Sequence, residues 1–202
     1  MTRAFNLTPT TSIVFGVPLF VDQVTDPTAL NAGLRKIILE EESRDSGITK
    51  SNLGSWHSDT TLLKWPAPEI EPFKNIIDHA VQRISRSSGG DKSDQIKLTY
   101  KASAWAIVNR DGHFNGIHSH RGMHWAVVYY VDIGQPAPGH PRNGQIELLD
   151  PRPAATHGQV PDFMFGRTLM IPPKAGMVIA FPAWIQHSVH PYRGTGERIS
   201  IA

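Results

Sequence analysis

The sequence contains no cysteine among its 202 residues, which excludes disulfide scaffolds, zinc–thiolate sites and thiol nucleophiles. It has no run of about 18 apolar residues that could span a membrane, and Met1 to Thr11 lack the regions of a signal peptide. Neither sign of charge dominates, because 20 Lys and Arg face 18 Asp and Glu. A basic nucleic-acid-binding surface is therefore not expected. These absences favour a cytoplasmic protein that binds neither nucleic acids nor membranes.

The length and the 40% of apolar residues are typical of one globular domain with a buried core. In the N-terminal part, β-branched and aromatic side chains predict a strand over Ser12–Val21, near a sheet edge because of Pro18. Apolar residues at helical spacing predict two amphipathic helices, from Asp26-Pro27 to about Ser43 and over Glu69–Arg86. The loop Asp45–Thr60 between them is long enough to suggest a lid over a functional site.

From Gln95 onward the pattern changes to short segments rich in Val, Ile, Tyr and Trp, separated by glycine and proline turns. The segments are IKLTYKASAWAIV, HWAVVYYVDI, GQIELLD, RTLMIP, GMVIAFP and RISIA. This spacing predicts a mainly β (α+β) fold, a sandwich or barrel-like double sheet with the two helices packed outside it.

Histidine is the unusual residue, since four of the ten histidines fall between His113 and His124. In an extended chain, His118 and His120 point to the same side with Cα atoms roughly 7 Å apart, so both imidazoles can reach one metal ion. Two surface histidines would give the same pattern, and a third ligand would sharpen it. His187 is the candidate, because it follows an apolar strand that ends near Pro182; a hydrogen-bonded structural histidine is the alternative.

Arg198 and Ser200 lie on one face of the last predicted strand, eleven positions after His187. An arginine in an apolar strand is costly unless an anion pairs with it, and a carboxylate bound in bidentate fashion is the natural partner. In the strand before the histidine cluster, Trp105 is most simply a core residue, whereas Asn109 could line the pocket.

The order and spacing of these residues resemble the iron(II)/2-oxoglutarate (2OG) dioxygenase superfamily, and more narrowly a family of 2OG-Fe(II) oxygenases of bacteria and phages with an HxH...H...RxS pattern. The matching stretches are SIVFGVPLF, SNLGSWHSDTTL, HFNGIHSHRGMHWAVVYYVD, LLDPRP and FPAWIQHSVHPYRGTGERISI. The resemblance implies a double-stranded β-helix (a jelly roll, cupin-like). Residues 1–202 would be one domain, with an N-terminal strand and helices in 1–94 that buttress a β-helix core in 95–202.

The resemblance also implies roles for individual residues. His118 would be the first iron ligand and His187 the distal one, while Arg198 and Ser200 would bind the C5 carboxylate of 2OG. Tyr129 or Tyr130 could reach the cosubstrate, but only one of them, because neighbouring strand residues face opposite ways. The implied cofactors are Fe(II) and 2OG, and the implied reaction is oxidation by O₂, most simply hydroxylation, of a small organic substrate with release of succinate and CO₂.

The sequence departs from the superfamily pattern at the second ligand, where His120 replaces Asp or Glu. A three-histidine site is one interpretation. In another, His120-Arg121-Gly122 forms an HxG motif with an open coordination position. In a third, a carboxylate comes from elsewhere, with Asp150 the most plausible.

Three other functions fit part of the pattern. A three-histidine zinc hydrolase or lyase explains the histidines but gives Arg198 and Ser200 no task. A cupin-type metal enzyme is close in sequence pattern, although Gly176 and His187 are further apart than in the second cupin motif. A jelly-roll binding module with incidental histidines is the third. No pattern predicts the primary substrate or the oligomeric state.

Overall fold

The computed structural model describes residues 16–89, 95, 97–152 and 168–202. Over these residues the chain forms two α-helices, eleven strands and one short 3-10 helix. In chain order they are β1 (Phe20–Gln23), α1 (Thr28–Glu42), β2 (Asn52–Leu53), β3 (Trp56–His57), the 3-10 helix (Leu62–Lys64), α2 (Ile70–Ser87), β4 (Ala106–Asn109), β5 (Phe114–His118), β6 (Trp125–Pro136), β7 (Ile146–Leu148), β8 (Leu169–Ile171), β9 (Met177–Pro182), β10 (His187–Val189) and β11 (Gly194–Ile201).

The strands form two antiparallel sheets. The larger has the order β1-β9-β6-β11-β4-β3, and the smaller has the order β2-β5-β10-β7-β8. From β4 to β11 the chain alternates between the two sheets except at β7 and β8, which are consecutive and pair within the smaller sheet. This is the winding of a double-stranded β-helix. The expected mainly β jelly roll is therefore confirmed.

Both helices cover the outer face of the larger sheet, as their apolar faces require. Leu34 and Ile38 of α1 are fully buried, and the apolar positions of α2 join the same core. Strand alternation directs Tyr129 of β6 toward this core, where its ring lies 5.7 Å from that of Phe73 in α2. Tyr130, the next residue, therefore faces the space between the sheets, where a second core forms around Ile179 of β9.

The helix bounds agree with the prediction to within two residues, but several strand predictions were wrong. The strand expected from Gln95 begins only at Ala106, and the loop Asp45–Thr60 contains β2 and β3. The N-terminal strand lies at a sheet edge as expected, at Phe20–Gln23; positions 12–15 of the predicted strand lie outside the described residues.

No helix in the described ranges has the length and apolar character needed to cross a bilayer. The cytoplasmic location stays a prediction, as does the division of the chain at residues 94 and 95.

Candidate active site

Three histidines that are distant in sequence meet at one end of the smaller sheet. His118 ends β5 and His187 begins β10, and the two residues are directly opposite each other in the antiparallel pair. Their imidazole centroids lie 4.2 Å apart. Because paired residues in adjacent strands point to the same face, the register of β5 and β10 alone brings these two rings together.

Both rings are oriented by the backbone. The Nδ1 atom of His118 lies 2.8 Å from the carbonyl oxygen of Gly116, and Nδ1 of His187 lies 2.9 Å from that of Ile185. A carbonyl can only accept, so Nδ1 carries the proton in each ring and Nε2 keeps its lone pair. A metal-binding histidine is normally fixed in this way by the hydrogen bond of its other nitrogen.

His120 completes the cluster from the turn after β5. Its backbone N–H donates to the carbonyl of Ala183, and its ring packs against Trp105 with centroids 5.5 Å apart. One nitrogen from each of the three rings lies within 4.8 Å of the other two. In the described part of the chain no Asp or Glu joins this group, so the donor set consists of three imidazoles.

Burial keeps these imidazoles neutral. It lowers the pKa of His187 to about 3 and that of His120 to about 4, with a smaller contribution from the charge of His118 in each case. Burial also lowers the pKa of His118, against the effect of its backbone hydrogen bond. Near neutral pH all three rings therefore offer lone pairs, which is the form that binds a divalent metal.

A cavity of about 1010 Å³ opens beside the cluster. The smaller sheet contributes His118 and His187, and the larger sheet contributes Tyr130, Arg198 and Ser200 from its central strands. The polar side chains of both sheets thus face one space.

Arg198 is buried without a counter-ion among the described residues. Its side chain is among the largest fully buried ones, and its Nε has no hydrogen-bond partner. Its guanidinium carbon lies 5.3 Å from the centroid of the Tyr130 ring. Desolvation lowers the pKa of Arg198, but a guanidinium remains charged in proteins. An isolated buried cation is costly, so this group points to an anionic ligand.

Gly144 makes room for the Arg198 side chain. A Cβ at this position would lie 3.1 Å from both Cδ and Nε of Arg198, closer than an ordinary contact, and the glycine has a φ of +61°. Both the space and the backbone conformation therefore favour glycine here. The Arg198 side chain therefore passes directly over the backbone of Gly144.

The structure separates the two neighbouring tyrosines. Tyr130 lines the cavity, and its hydroxyl has no hydrogen-bond partner in the described ranges. The hydroxyl of Tyr129 donates to Asn31 of α1 on the opposite face, at 2.6 Å. Placing Tyr129 at the cosubstrate was therefore wrong, whereas the expectation that only one of the pair faces the pocket agrees with the structure.

Asn109 faces the same side of the larger sheet as Arg198, because the two residues are paired between β4 and β11. It is fully buried, and neither atom of its amide has a hydrogen-bond partner among the described residues. It does not line the cavity itself. Asn109 therefore lies beside Arg198 in the sheet but outside the cavity lining, so direct contact with a ligand in the cavity is not expected.

Other candidate ligands are not brought to the cluster. The carboxylate of Asp150 pairs with Arg152, with Nε and Oδ1 2.9 Å apart, and does not line the cavity. The HxG interpretation leaves out His118, which the structure places beside His120 and His187.

The predicted lid is a wall of the cavity. Residues 49–54 line the cavity. Strand pairing of β2 with β5 and of β3 with β4 fixes this segment to the two sheets, so it forms a wall and not a lid. His57 and Trp105 are among the lining residues to which the sequence pattern gave no individual role at the site. His57 is buried and stacks on Trp105, which separates it from His120. Their only sequence signal is a shared aromatic character, which is equally typical of core residues.

A family described as "Putative 2OG-Fe(II) oxygenase" matches residues 103–202. This segment contains the three histidines, Tyr130, Arg198 and Ser200. This segment, 100 of the 202 residues, belongs to the 2OG-Fe(II) oxygenases. No curated protein sequence matches the chain significantly.

Solved structures share the fold of this oxygenase at low sequence identity. A Pseudomonas putida prolyl-4-hydroxylase is 16% identical with a TM-score of 0.61, over 91% of this chain and 89% of that one. A Trichoplax adhaerens prolyl hydroxylase, in complex with a hypoxia inducible factor peptide fragment, is 12% identical with a TM-score of 0.62, over 91% and 80%. The 2OG complex of a viral collagen prolyl hydroxylase from Paramecium Bursaria Chlorella virus-1 is 15% identical with a TM-score of 0.54, over 91% and 92%.

The chain is therefore an oxidoreductase that depends on Fe(II) and 2OG. The residues of the site fit both groups. Three neutral imidazoles suit a divalent first-row metal, and a buried guanidinium without a counter-ion suits a dicarboxylate.

Proposed function

We propose that the oxygenase holds Fe(II) with His118, His120 and His187, and binds the C5 carboxylate of 2OG with Arg198 and Ser200. The reaction is the hydroxylation of a small organic substrate by O₂, with release of succinate and CO₂. The observation that carries the proposal is the buried, unpaired Arg198 facing the same cavity as three converging histidines.

The backbone hydrogen bonds of His118 and His187 would fix their Nε2 lone pairs toward one point, which reduces the reorganisation that metal binding requires. Bound iron supplies the activation of dioxygen that couples the decarboxylation of 2OG to oxidation of the substrate. The chain supplies binding, orientation and the exclusion of water.

At the other anchor, the planar guanidinium of Arg198 can donate two parallel hydrogen bonds to one carboxylate. Ser200 lies two residues further along β11, on the same face, and lines the cavity beside it. The unpartnered hydroxyl of Tyr130 is a third donor within this group. Three donors around one cavity suit a dianion better than a neutral substrate.

Hydroxylation is the activity named for the three solved neighbours, and we extend it to this chain as part of the proposal. A zinc hydrolase would use the same histidines. It would leave the buried charge of Arg198 without a ligand, and for this reason we favour the oxygenase reaction.

Anaerobic addition of Fe(II) and then 2OG to the metal-free protein tests the assignment of residues. A weak visible charge-transfer band is expected with the wild type, because it reports chelation of the metal by the 2-oxo acid. Arg198→Gln should lose the band at 2OG concentrations that saturate the wild type, while still binding metal. Arg193→Gln, which alters an exposed arginine paired with Asp111, is the matched control.

His120→Ala tests the ligand set in the same experiment, since two histidines should hold the metal much more weakly than three. Tight Zn(II) binding together with no measurable 2OG binding in the wild type would contradict the proposal and favour the hydrolase.

A further inference from the structure

Cations and no acids are found among the described residues that line the cavity. Apart from histidines, the charged side chains among the described lining residues are Arg198 and Lys50, and none is Asp or Glu. None of the ion pairs of the described chain includes Lys50. If Arg198 binds 2OG as proposed above, Lys50 is a second cation without a role in the cosubstrate site.

The two cations lie toward different parts of the cavity. Arg198 belongs to β11, whereas Lys50 lies near His57 of β3, two strands away across the larger sheet. The register pairs His57 with Ile107 and Ile107 with Ser200, so two strand spacings, roughly 10 Å, separate His57 from Ser200. The charge of Lys50 reaches His57, since it adds to the larger effect of burial in lowering the pKa of that ring. The segment that carries Lys50 therefore reaches the cavity from a different side than the strand that carries Arg198.

Hydrogen bonds fix the backbone of the segment around Lys50, which forms part of the cavity wall. The backbone N–H of Lys50 donates to Oδ1 of Asn52 at 2.6 Å, and Nδ2 of Asn52 donates to the carbonyls of Ser55 and Ile48. Asn52 is buried and also belongs to β2, which pairs with β5. These bonds hold the backbone of the segment in place, while the Lys50 side chain is exposed at the edge of the cavity.

The electrostatics of the filled site favour an anion. Three neutral imidazoles cancel none of the double positive charge of a metal ion, and the dianion of 2OG cancels only that much. The charges of Arg198 and Lys50 then remain uncompensated by any described side chain that lines the cavity. A cationic substrate would be repelled from this space, and an anionic one attracted.

We propose that the primary substrate is a small molecule with an apolar body and an anionic group, a carboxylate or a phosphate, that pairs with Lys50. This inference rests on the proposed function, because it assigns Arg198 to 2OG. The rest of the wall explains the apolar body, since it includes Leu53, Ile117, Ile146 and Val189. A cavity of about 1010 Å³ leaves room for such a molecule beside the cosubstrate.

Matched pairs of probes that differ in one negative charge test the proposal without knowledge of the natural substrate. Phenylacetate is compared with phenylacetamide, and the monoanion methyl phenyl phosphate with its neutral ester dimethyl phenyl phosphate. Binding is measured by ligand-observed NMR titration of protein loaded with Ni(II) and 2OG, so the readout does not depend on turnover. Each anion should bind roughly fivefold more tightly than its neutral partner, the ratio expected for a partly exposed ion pair. The arm with the larger ratio identifies the anion class.

Variants of Lys50 separate its charge from its bulk. Lys50→Gln should remove the preference for anions, Lys50→Glu should reverse it and Lys50→Arg should retain it. Lys36→Gln, on the exposed face of α1, is the control and should keep the wild-type ratio. An unchanged ratio in Lys50→Gln, or no preference for anions in the wild type, would overturn the inference.

Calorimetric titration with 2OG keeps this test separate from that of the proposed function. Its affinity should be the same in Lys50→Gln as in the wild type. A large loss in that variant would assign Lys50 to the cosubstrate and overturn the inference while leaving the oxygenase function intact. Failure of 2OG to bind the wild type would instead refute the proposed function, and the preference for anions could still be measured with the metal alone.

Discussion

Replacing Arg198 by methionine should make the metal-free protein more stable and at the same time destroy its affinity for 2OG. Methionine fills a similar space next to Gly144 but carries no charge. In the absence of a ligand the native guanidinium is buried with no carboxylate of the described chain near it. The protein therefore bears a desolvation cost that the variant lacks.

The magnitude follows from two opposing effects. Exchanging poorly compensated buried charges for apolar groups of similar volume typically stabilises a protein by about 1–4 kcal/mol. Loss of the contact with the Tyr130 ring, 5.3 Å from the guanidinium carbon, removes about 1 kcal/mol. A net gain of about 0–3 kcal/mol remains, which for a chain of this size corresponds to a rise in melting temperature of up to roughly 12 °C.

The effect on 2OG has the opposite sign. Two charge-assisted hydrogen bonds to a buried carboxylate are together worth about 3–5 kcal/mol, so the dissociation constant should rise roughly 150- to 4000-fold. At 100 times its dissociation constant, 2OG stabilises the wild type by about 2.7 kcal/mol through binding alone. In Arg198→Met this ligand-induced stabilisation should disappear.

Differential scanning calorimetry with and without 2OG, on protein loaded with Ni(II), measures the ligand effect, and scans of the metal-free protein measure the intrinsic one. Arg198→Lys is the control, because it keeps a cation but not the planar fork. A variant Arg198→Met that melts several degrees below the wild type and is still stabilised by 2OG would refute the reasoning. Arg198 would then be a structural residue.

Three further predictions concern the tyrosine pair, the histidine titration and the third ligand. Tyr129→Phe should lose the hydrogen bond to Asn31 and about 1 kcal/mol of stability with unchanged 2OG affinity, whereas Tyr130→Phe should weaken 2OG roughly tenfold in calorimetric titrations with little loss of stability. Burial lowers the pKa of His120 to about 4 and that of His187 to about 3. As the pH falls below about 6.5, these histidines therefore take up protons in the unfolded chain before they do so in the folded protein, and the free energy of unfolding decreases. Urea titrations of the metal-free protein between pH 7 and pH 4 measure this decrease. It should be less than about 1.4 kcal/mol per pH unit for each ring, because both rings face the cavity. His120→Asp should bind Co(II) in spectroscopic titrations and His120→Ala should bind it far more weakly; equal affinities would remove His120 from the ligand set.

The helices and the long strands could be predicted because their patterns repeat. The apolar positions of α2 recur at a helical period, and β9 is a continuous apolar run that the structure buries in full. By contrast, β2 and β3 contain two residues each and have no room for a period. They are strands because β5 and β4 offer them hydrogen bonds, which is a tertiary effect.

The candidate site was predictable to the extent that it lies on regular strands with recognisable spacing. For this reason the sequence could place His118, His187 and Arg198. Strand alternation reduced the choice of a tyrosine at the cavity to either Tyr129 or Tyr130. His57 and Lys50 could not be placed. His57 lies in the two-residue strand β3, which pairs with β4, and Lys50 precedes β2 in a segment whose path depends on the amide of Asn52. No local pattern in the sequence encodes that path.

The family match begins at residue 103, but the two sheets also include three strands that precede this residue. Each of these three strands pairs with the edge of a later strand: β3 with β4, β1 with β9 and β2 with β5. A fragment that starts at residue 103 would expose all three of the later strands, and with them unpaired backbone groups that invite association with other chains. The strands β1, β2 and β3 therefore cover edges that could otherwise pair with other chains and cause aggregation, and the segment around β2 also forms a wall of the cavity.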